Sequence, residues 1–446
     1  MQALIDILFL FFFSLVYVYF FLSFFYREKA VFFFFLICFI AFYDIVFISI
    51  SPYVSPIVLN IIKSWQEYLF LFLLFLLMMP GKNKSFYLNK FDRTFLFSFI
   101  LLTAVGSVGG MMNGTPAGQV FLGWRMYLLP FLWSFLLYKT SIFNRISSRF
   151  VINLLISVTV FIVLFAIYQQ LTFDNDLKRL WFYDYINRLN PIEDHEFDFI
   201  RDGQLRVTSI FVSPLIYASF LSFSMLMLIF RIFIKREPLI GKVVPAMLLV
   251  LLGYGQVLSR TRIGFIILLV GLCCSFLVYF RPSSKFLFSF FVPIAFLSVT
   301  FISLIFGVTD DLSALGRLIQ YSSLPSNFVP MGMGFGAEMT NVYFDSFYIS
   351  VILLFGIFVP LYLRFYLVPL RKMNEHARYL RYEERDSSNR ILYYSCYGFF
   401  FSFLYTFGFH FTIGSATVQL FYLLLFFFVS RFEKLAEKKP QKMLAL

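Results

Sequence analysis

Charge is scarce in this chain: Asp, Glu, Lys and Arg make up only 14% of its 446 residues, against about 25% in an ordinary soluble protein. Cysteine is scarcer still, and all four (Cys38, Cys273, Cys274 and Cys396) fall inside apolar runs. That excludes a disulfide framework and a cysteine metal site. The three histidines, His195, His376 and His410, lie in different segments, so no His/Asp/Glu spacing resembles a metal cage and no metal is expected. There is no internal repeat, no low-complexity tract outside the Phe-rich runs, and no stretch long and polar enough for a separate soluble domain. A dinucleotide loop is excluded as well. Gly332-x-Gly334-x-Gly336 follows no strand, so it is expected to be a turn element.

What the chain does have is apolar length. Sixty per cent of the residues are hydrophobic, 68 of them Phe, and the mean hydropathy is +0.83. The apolar runs are of about 20 residues, the length that crosses a bilayer as helix. The fold class expected is therefore an all-α polytopic membrane protein of about 12–14 transmembrane helices. Thirteen spans are placed near 7–26, 30–50, 57–79, 94–112, 121–138, 151–171, 209–230, 243–258, 263–280, 286–307, 346–370, 391–411 and 414–430. The third carries Lys63 and Glu67 and the eighth is short, so twelve or fourteen stay open. The first run is too long for a signal sequence and has no basic start or small-residue cleavage site, so it is taken as a retained span.

Basic residues alternate from loop to loop. Of the 37 Lys and Arg, 26 lie in the loops that begin with Arg27/Lys29 and end with the tail from Arg431 to Lys442. By the positive-inside rule that face is cytoplasmic, and the asymmetry accounts for the net charge of +13 without nucleic acid. The chain is then one transmembrane domain, 1–446, with cytoplasmic segments at 371–390 and 431–446 and two long outer segments, 172–208 and 308–345. The first outer segment mixes Asp174, Asp176, Asp184, Glu193, Asp194, Glu196, Asp198 and Asp202 with Trp181, Phe182, Tyr183 and Tyr185. Carboxylates beside aromatic rings suit carbohydrate. An acidic loop resting aromatics on lipid headgroups has the same composition.

Five arginines stand on the face that disfavours them: Arg125, Arg206, Arg260, Arg262 and Arg317. One such residue is ordinarily a snorkelling anchor or half of an ion pair. Five point to a shared anion, and the planar guanidinium grips phosphate oxygens bidentately. A pyrophosphate at the outer membrane surface is the ligand this chemistry suggests.

At these residues the sequence resembles a family. Ser259-Arg260-Thr261, set between two spans, is similar to the Ser-Arg-Thr signature of the O-antigen ligase and polymerase superfamily. Arg206-Val-Thr-Ser-Ile-Phe-Val-Ser-Pro214 resembles its Arg-x-x-Gly-x-Phe-x-x-Pro segment. Gly316-Arg317 followed by the three spaced glycines resembles its large late loop, and Asp345-Ser346-Phe347-Tyr348 then Leu354-Phe355-Gly356-Ile357 the element closing that loop. The resemblance covers about 200–360.

It implies a C-type integral-membrane glycosyltransferase of the bacterial inner membrane, multi-pass, with its active site facing the periplasm. Its substrates would be undecaprenyl-pyrophosphate-linked glycans, as donor and acceptor. A polymerase transfers a growing glycan to the next repeat unit of an O-antigen or similar polysaccharide in lipopolysaccharide biosynthesis. A ligase transfers it to lipid A-core. The resemblance implies no cofactor, with membrane lipids and a chain-length regulator protein as candidate partners. By motif, Arg206 and Arg260 would bind pyrophosphate with Arg317 assisting. Arg262 and Arg125 join them by position. Ligases usually carry His where this chain has Asp345, which favours the polymerase branch. Asp345 would hold or deprotonate the acceptor hydroxyl, or else cap a helix starting at Ser346. His410 is the second candidate base, though a lone histidine in an apolar run is ordinarily a packing residue. A lipid-linked oligosaccharide flippase is a further alternative, but the charged residues inside spans, Asp44, Lys63, Glu67 and Arg364, make no repeated halves.

Overall fold

A computed structural model of the chain describes residues 2–26, 29–79, 89–140, 142–172, 200–201, 204–234, 238–280, 312–337, 346–380, 387–406 and 416–437. The regular elements of the described residues are helices, but for one antiparallel pair of two-residue strands, Ile200–Arg201 with Gln204–Leu205. Among them, eight helices are long and apolar enough to cross a membrane, or ten if each of two bent pairs is one span. This is the architecture of a multi-pass membrane protein. The expected span at 286–307 lies outside the described residues.

Packing divides the chain into two compact units. The first comprises Met1–Leu73, Ser141–Leu272 and Glu384–Phe399. It holds α1 (Gln2–Ser23), α2 (Lys29–Ile50), α3 (Pro56–Lys63), most of α4 (Trp65–Met78), α8 (Ser148–Leu171), α9 (Pro214–Ile234), α10 (Leu239–Leu258), the start of α11 (Arg262–Phe280) and the start of α15 (Ser387–Thr406). Helix α9 is its centre, buried nearly all round, and packs on α8 and α10. Its Ser219, Ser222 and Ser224 are buried. Ser222 Oγ donates to Gly264 O at 2.7 Å and Ser224 Oγ meets Thr159 Oγ1 at 2.6 Å. Small hydroxyl residues let helices approach where lipid gives no hydrophobic drive between them. At one end of this unit α2 begins beside the turn Ile142–Arg145, and Ser148 Oγ bonds Asn389 Oδ1 at 2.5 Å. At the other, Gln2 Nε2 donates to Tyr53 O at 3.0 Å and Ser55 N–H to Asp6 Oδ1 at 2.9 Å.

The third expected span is broken. Ser55 caps α3, with Pro56 in its first turn, and α3 ends at Ser64, beyond which α4 departs at 43°. The expected span 209–230 starts instead at Pro214, and the expected 243–258 starts at Leu239, drawing Lys242 into the helix. The residues before Pro214 are held in a loop by side-chain hydrogen bonds described below.

The second unit comprises Leu74–Thr140, Cys273–Glu383 and Phe400–Leu446. It holds α5 (Lys90–Met112), α6 (Ala117–Tyr127), α7 (Leu129–Lys139), α12 (Leu312–Asn327), α13 (Phe347–Phe355), α14 (Val359–Leu380) and α16 (Ala416–Glu437). Asn89 and Asp92 close a capping box on α5, and Asp92 Oδ2 also takes the Lys139 ammonium at 2.7 Å. Lys372 lies over the Phe91 ring, 4.1 Å from its centroid. The start of α5 and the ends of α7 and α14 thus share one end of this unit, as alternation requires. Pro130, in the first turn of α7, has no N–H to continue α6, and the two helices bend by 49°. The core is aromatic: Phe95, Phe131, Phe135, Tyr362, Phe365, Tyr366, Tyr422 and Phe426 pack ring on ring.

Candidate anion site at the helix corner

Helix α10 ends in the sequence Ser259-Arg260-Thr261, and α11 begins at once with Arg262. The reversal turns on Arg260, with Ser259 still in right-handed helical conformation before it. Arg260 has φ +48°, one of two non-glycine residues with positive φ among those described. A left-handed conformation costs a side-chain-bearing residue about 1–2 kcal/mol, which is why glycine usually fills this position. Here hydroxyls hold it. Ser259 Oγ donates to Gln256 O at 2.6 Å, lies 3.0 Å from Thr261 Oγ1, and accepts the Thr261 N–H at 3.3 Å. Ser259 and Thr261 are buried, while Arg260 and Arg262 are exposed. Among the described residues the Arg260 guanidinium has no hydrogen-bonded or ion-paired partner.

The second motif arrives at the same corner. Val207 N–H donates to Leu258 O at 3.2 Å, which sets the half-buried Arg206 beside the last turn of α10. Two residues on, Ser209 is the other left-handed residue, φ +52°. Its N–H donates to Gln169 Oε1 at 2.8 Å and its Oγ to Ile162 O at 2.6 Å, so α8 grips it twice. Phe211 N–H closes a turn onto Thr208 O at 3.1 Å, and Val212 N–H reaches Asp44 Oδ2 on α2 at 3.3 Å. Ser209 stands where the family segment has glycine, and a left-handed residue is what glycine supplies most cheaply. The segment from Arg206 to Pro214 is thus fixed by α2, α8 and α10 together.

Sequence reasoning put Arg206, Arg260 and Arg262 in one site, and the structure brings their segments together in the first unit. It missed Gln169 as a structural support, and weighed Asp44 only as a charge within a span. Their one sequence signal is a polar residue close to the outer end of an apolar run.

Arg125 and Arg317 belong to the second unit. Arg125 is half-buried on α6, two residues after Gly123, which faces Phe335 and Gly336 of the glycine loop 332–336. That loop is a packing element. Its three glycines have φ near +80°, Phe335 N–H donates to Gly106 O at 2.7 Å and Met333 N–H to Leu353 O at 2.7 Å. A Cβ on Gly334 would collide with the Gly110 amide. The backbone of Arg317 lies in α12, one turn before Tyr321, whose hydroxyl meets Ser346 Oγ at 2.9 Å. Ser346, not Asp345, occupies the N-cap position of α13, which starts at Phe347. The capping alternative for Asp345 is therefore displaced by one residue. Asp345 and His410 themselves lie outside the described residues, as do 173–199 and 202–203 of the acidic segment. Among the described residues, no group of three or more His, Cys, Asp or Glu could hold a metal ion.

No protein-family model matches the chain, and no curated protein matches its sequence.

Proposed function

We propose that this protein is a polysaccharide polymerase, a glycosyltransferase that joins undecaprenyl-pyrophosphate-linked repeat units at the outer face of the bacterial inner membrane. The observation that carries this is the Val207–Leu258 hydrogen bond. It joins two arginine segments distant in sequence, each turning on a left-handed residue, at the corner between α10 and α11. Arg206, Arg260 and Arg262 there would hold the departing pyrophosphate, stabilising the charge that grows as the sugar–phosphate bond breaks. A fixed arginine fork suits this better than lysine, because its donors are already coplanar with the two oxygens they meet. For Arg317 and Arg125 the assisting role rests on resemblance and position alone. The acceptor hydroxyl requires a group that holds it or takes its proton, and Asp345 is proposed for this, with His410 second.

Deleting the gene and separating the surface polysaccharide on a gel tests the assignment. A core bearing a single repeat unit is expected. A bare core with polymer left on its lipid carrier would make the protein a ligase, and a bare core without outward-facing lipid-linked units a flippase.

A further inference from the structure

Resting on the pyrophosphate reading of the corner, the geometry points to Ser259 and Thr261 as positioning residues that preset Arg260 for its anion. They do so by locking its backbone in the left-handed conformation. The argument starts from an oddity of residue choice. A helix that ends in a left-handed residue is ordinarily ended by glycine, yet this position carries arginine at φ +48°. A glycine corner would fold more readily but would carry no guanidinium. An arginine corner carries the charge and needs something to hold it.

The hydroxyls on either side do this. Ser259 Oγ closes α10 by donating to Gln256 O and at the same time takes the Thr261 N–H, bridging across Arg260 itself. The two hydroxyls also meet each other at 3.0 Å, so each fixes the rotamer of its neighbour. Both side chains are withdrawn from solvent while Arg260 and Arg262 project from the same four-residue stretch. Leu258, whose carbonyl takes the Val207 N–H, is the last residue of α10, so the Arg206 segment is held by the helix and not by the two hydroxyls. Neither hydroxyl needs to touch the substrate. They act through the direction in which Arg260 leaves the backbone, so that a bidentate grip on phosphate does not first require the chain to be ordered.

The test is a double-mutant cycle on the purified full-length protein in detergent, reading its affinity for inorganic pyrophosphate, with thermal unfolding to confirm that each variant is folded. Ser259→Ala and Thr261→Val are each expected to weaken binding roughly ten-fold, the equivalent of about 1.4 kcal/mol. Thr261→Ser keeps the hydroxyl and should bind as the parent does. Combined with Arg260→Ala, either frame variant should cost nothing beyond Arg260→Ala alone, because the effect passes through that one side chain. Full additivity, a Thr261→Ser loss equal to that of Thr261→Val, or parental affinity in both folded frame variants would overturn the frame. If Ser259→Ala does not fold, the Thr261 pair decides. Parental affinity in Arg260→Ala would instead remove the pyrophosphate reading, and the frame with it.

Discussion

Val207 donates its main-chain N–H to the carbonyl of Leu258 at 3.2 Å, and that bond ties together two arginine segments far apart in sequence. Arg206 precedes the donor and Arg260 follows the acceptor by two residues. Both segments turn on a residue that sterics disfavour, Ser209 on one side and Arg260 on the other. Strain of this kind persists only where the surroundings over-determine it. Here they do, through Gln169, Ile162, Gln256 and the Ser259 hydroxyl.

Arg260→Lys separates charge from fork. It leaves the charge and the backbone frame in place but gives up the planar pair of donors. Polymer length on a gel is expected to shorten markedly, with expression and membrane insertion unchanged. Arg260→Ala should shorten it further. Normal chain lengths from Arg260→Ala would end the assignment of this corner to pyrophosphate.

The helices were legible because crossing a bilayer demands a long apolar run, and the runs beginning near residues 30, 94 and 151 coincide with α2, α5 and α8. The break at Leu128 was not read, because apolar residues continue on both sides of it, while at Ser64 the charged Lys63 and Glu67 marked the span as unusual without showing that its helix bends. A cap or a proline in such a run signals only weakly whether the helix bends or stops. At the site, arginines on the unfavourable face were visible as charge. Their supports were not. Gln169 and the Ser259 hydroxyl act by hydrogen bonds whose partners are chosen by tertiary packing, and a left-handed Ser209 shows in sequence only through comparison with a glycine.

Gln256 is buried beneath the same corner, and neither its amide nitrogen nor its oxygen has a hydrogen-bond partner among the described residues. A buried polar group without a partner costs about 1–3 kcal/mol. Gln256→Leu should therefore raise stability by about 1 kcal/mol in thermal unfolding, while polymer shortens if the amide is retained for function. A fall in stability would show that the side chain is better satisfied than the structure indicates.

Gly334 tests the packing of the glycine loop. Its φ of +79° and the collision of any Cβ with the Gly110 amide leave no room for a side chain. Gly334→Ala is expected to cost about 2–4 kcal/mol, seen as loss of monodisperse protein or a lowered unfolding temperature. Gly253, in α10 with open space around its Cβ position, is the control. Gly253→Ala should be neutral or stabilising by up to about 1 kcal/mol.

The charge alternation predicts sidedness. Reporter fusions at Lys84, Lys235 and Arg381 should report a cytoplasmic location, and those at Glu193 and Ser323 an external one. An internal signal at Glu193 would put the arginine corner on the wrong side of the membrane for a flipped, lipid-linked donor.

Asp345→Asn distinguishes chemistry from architecture at the entrance to α13. The amide keeps the size of the side chain and one acceptor oxygen but cannot take a proton. Because Ser346 already occupies the N-cap position, a helix-capping role for Asp345 would leave little to lose. Asn is also among the best capping residues, so α13 should fold in either case. If Asp345 deprotonates the acceptor hydroxyl, polymer should vanish while the protein accumulates in the membrane at its usual level. Asp345→Glu, which restores the proton acceptor at a longer reach, should recover part of it. Long polymer from Asp345→Asn would shift the search to His410, or to a mechanism in which the arginines alone drive departure of the pyrophosphate.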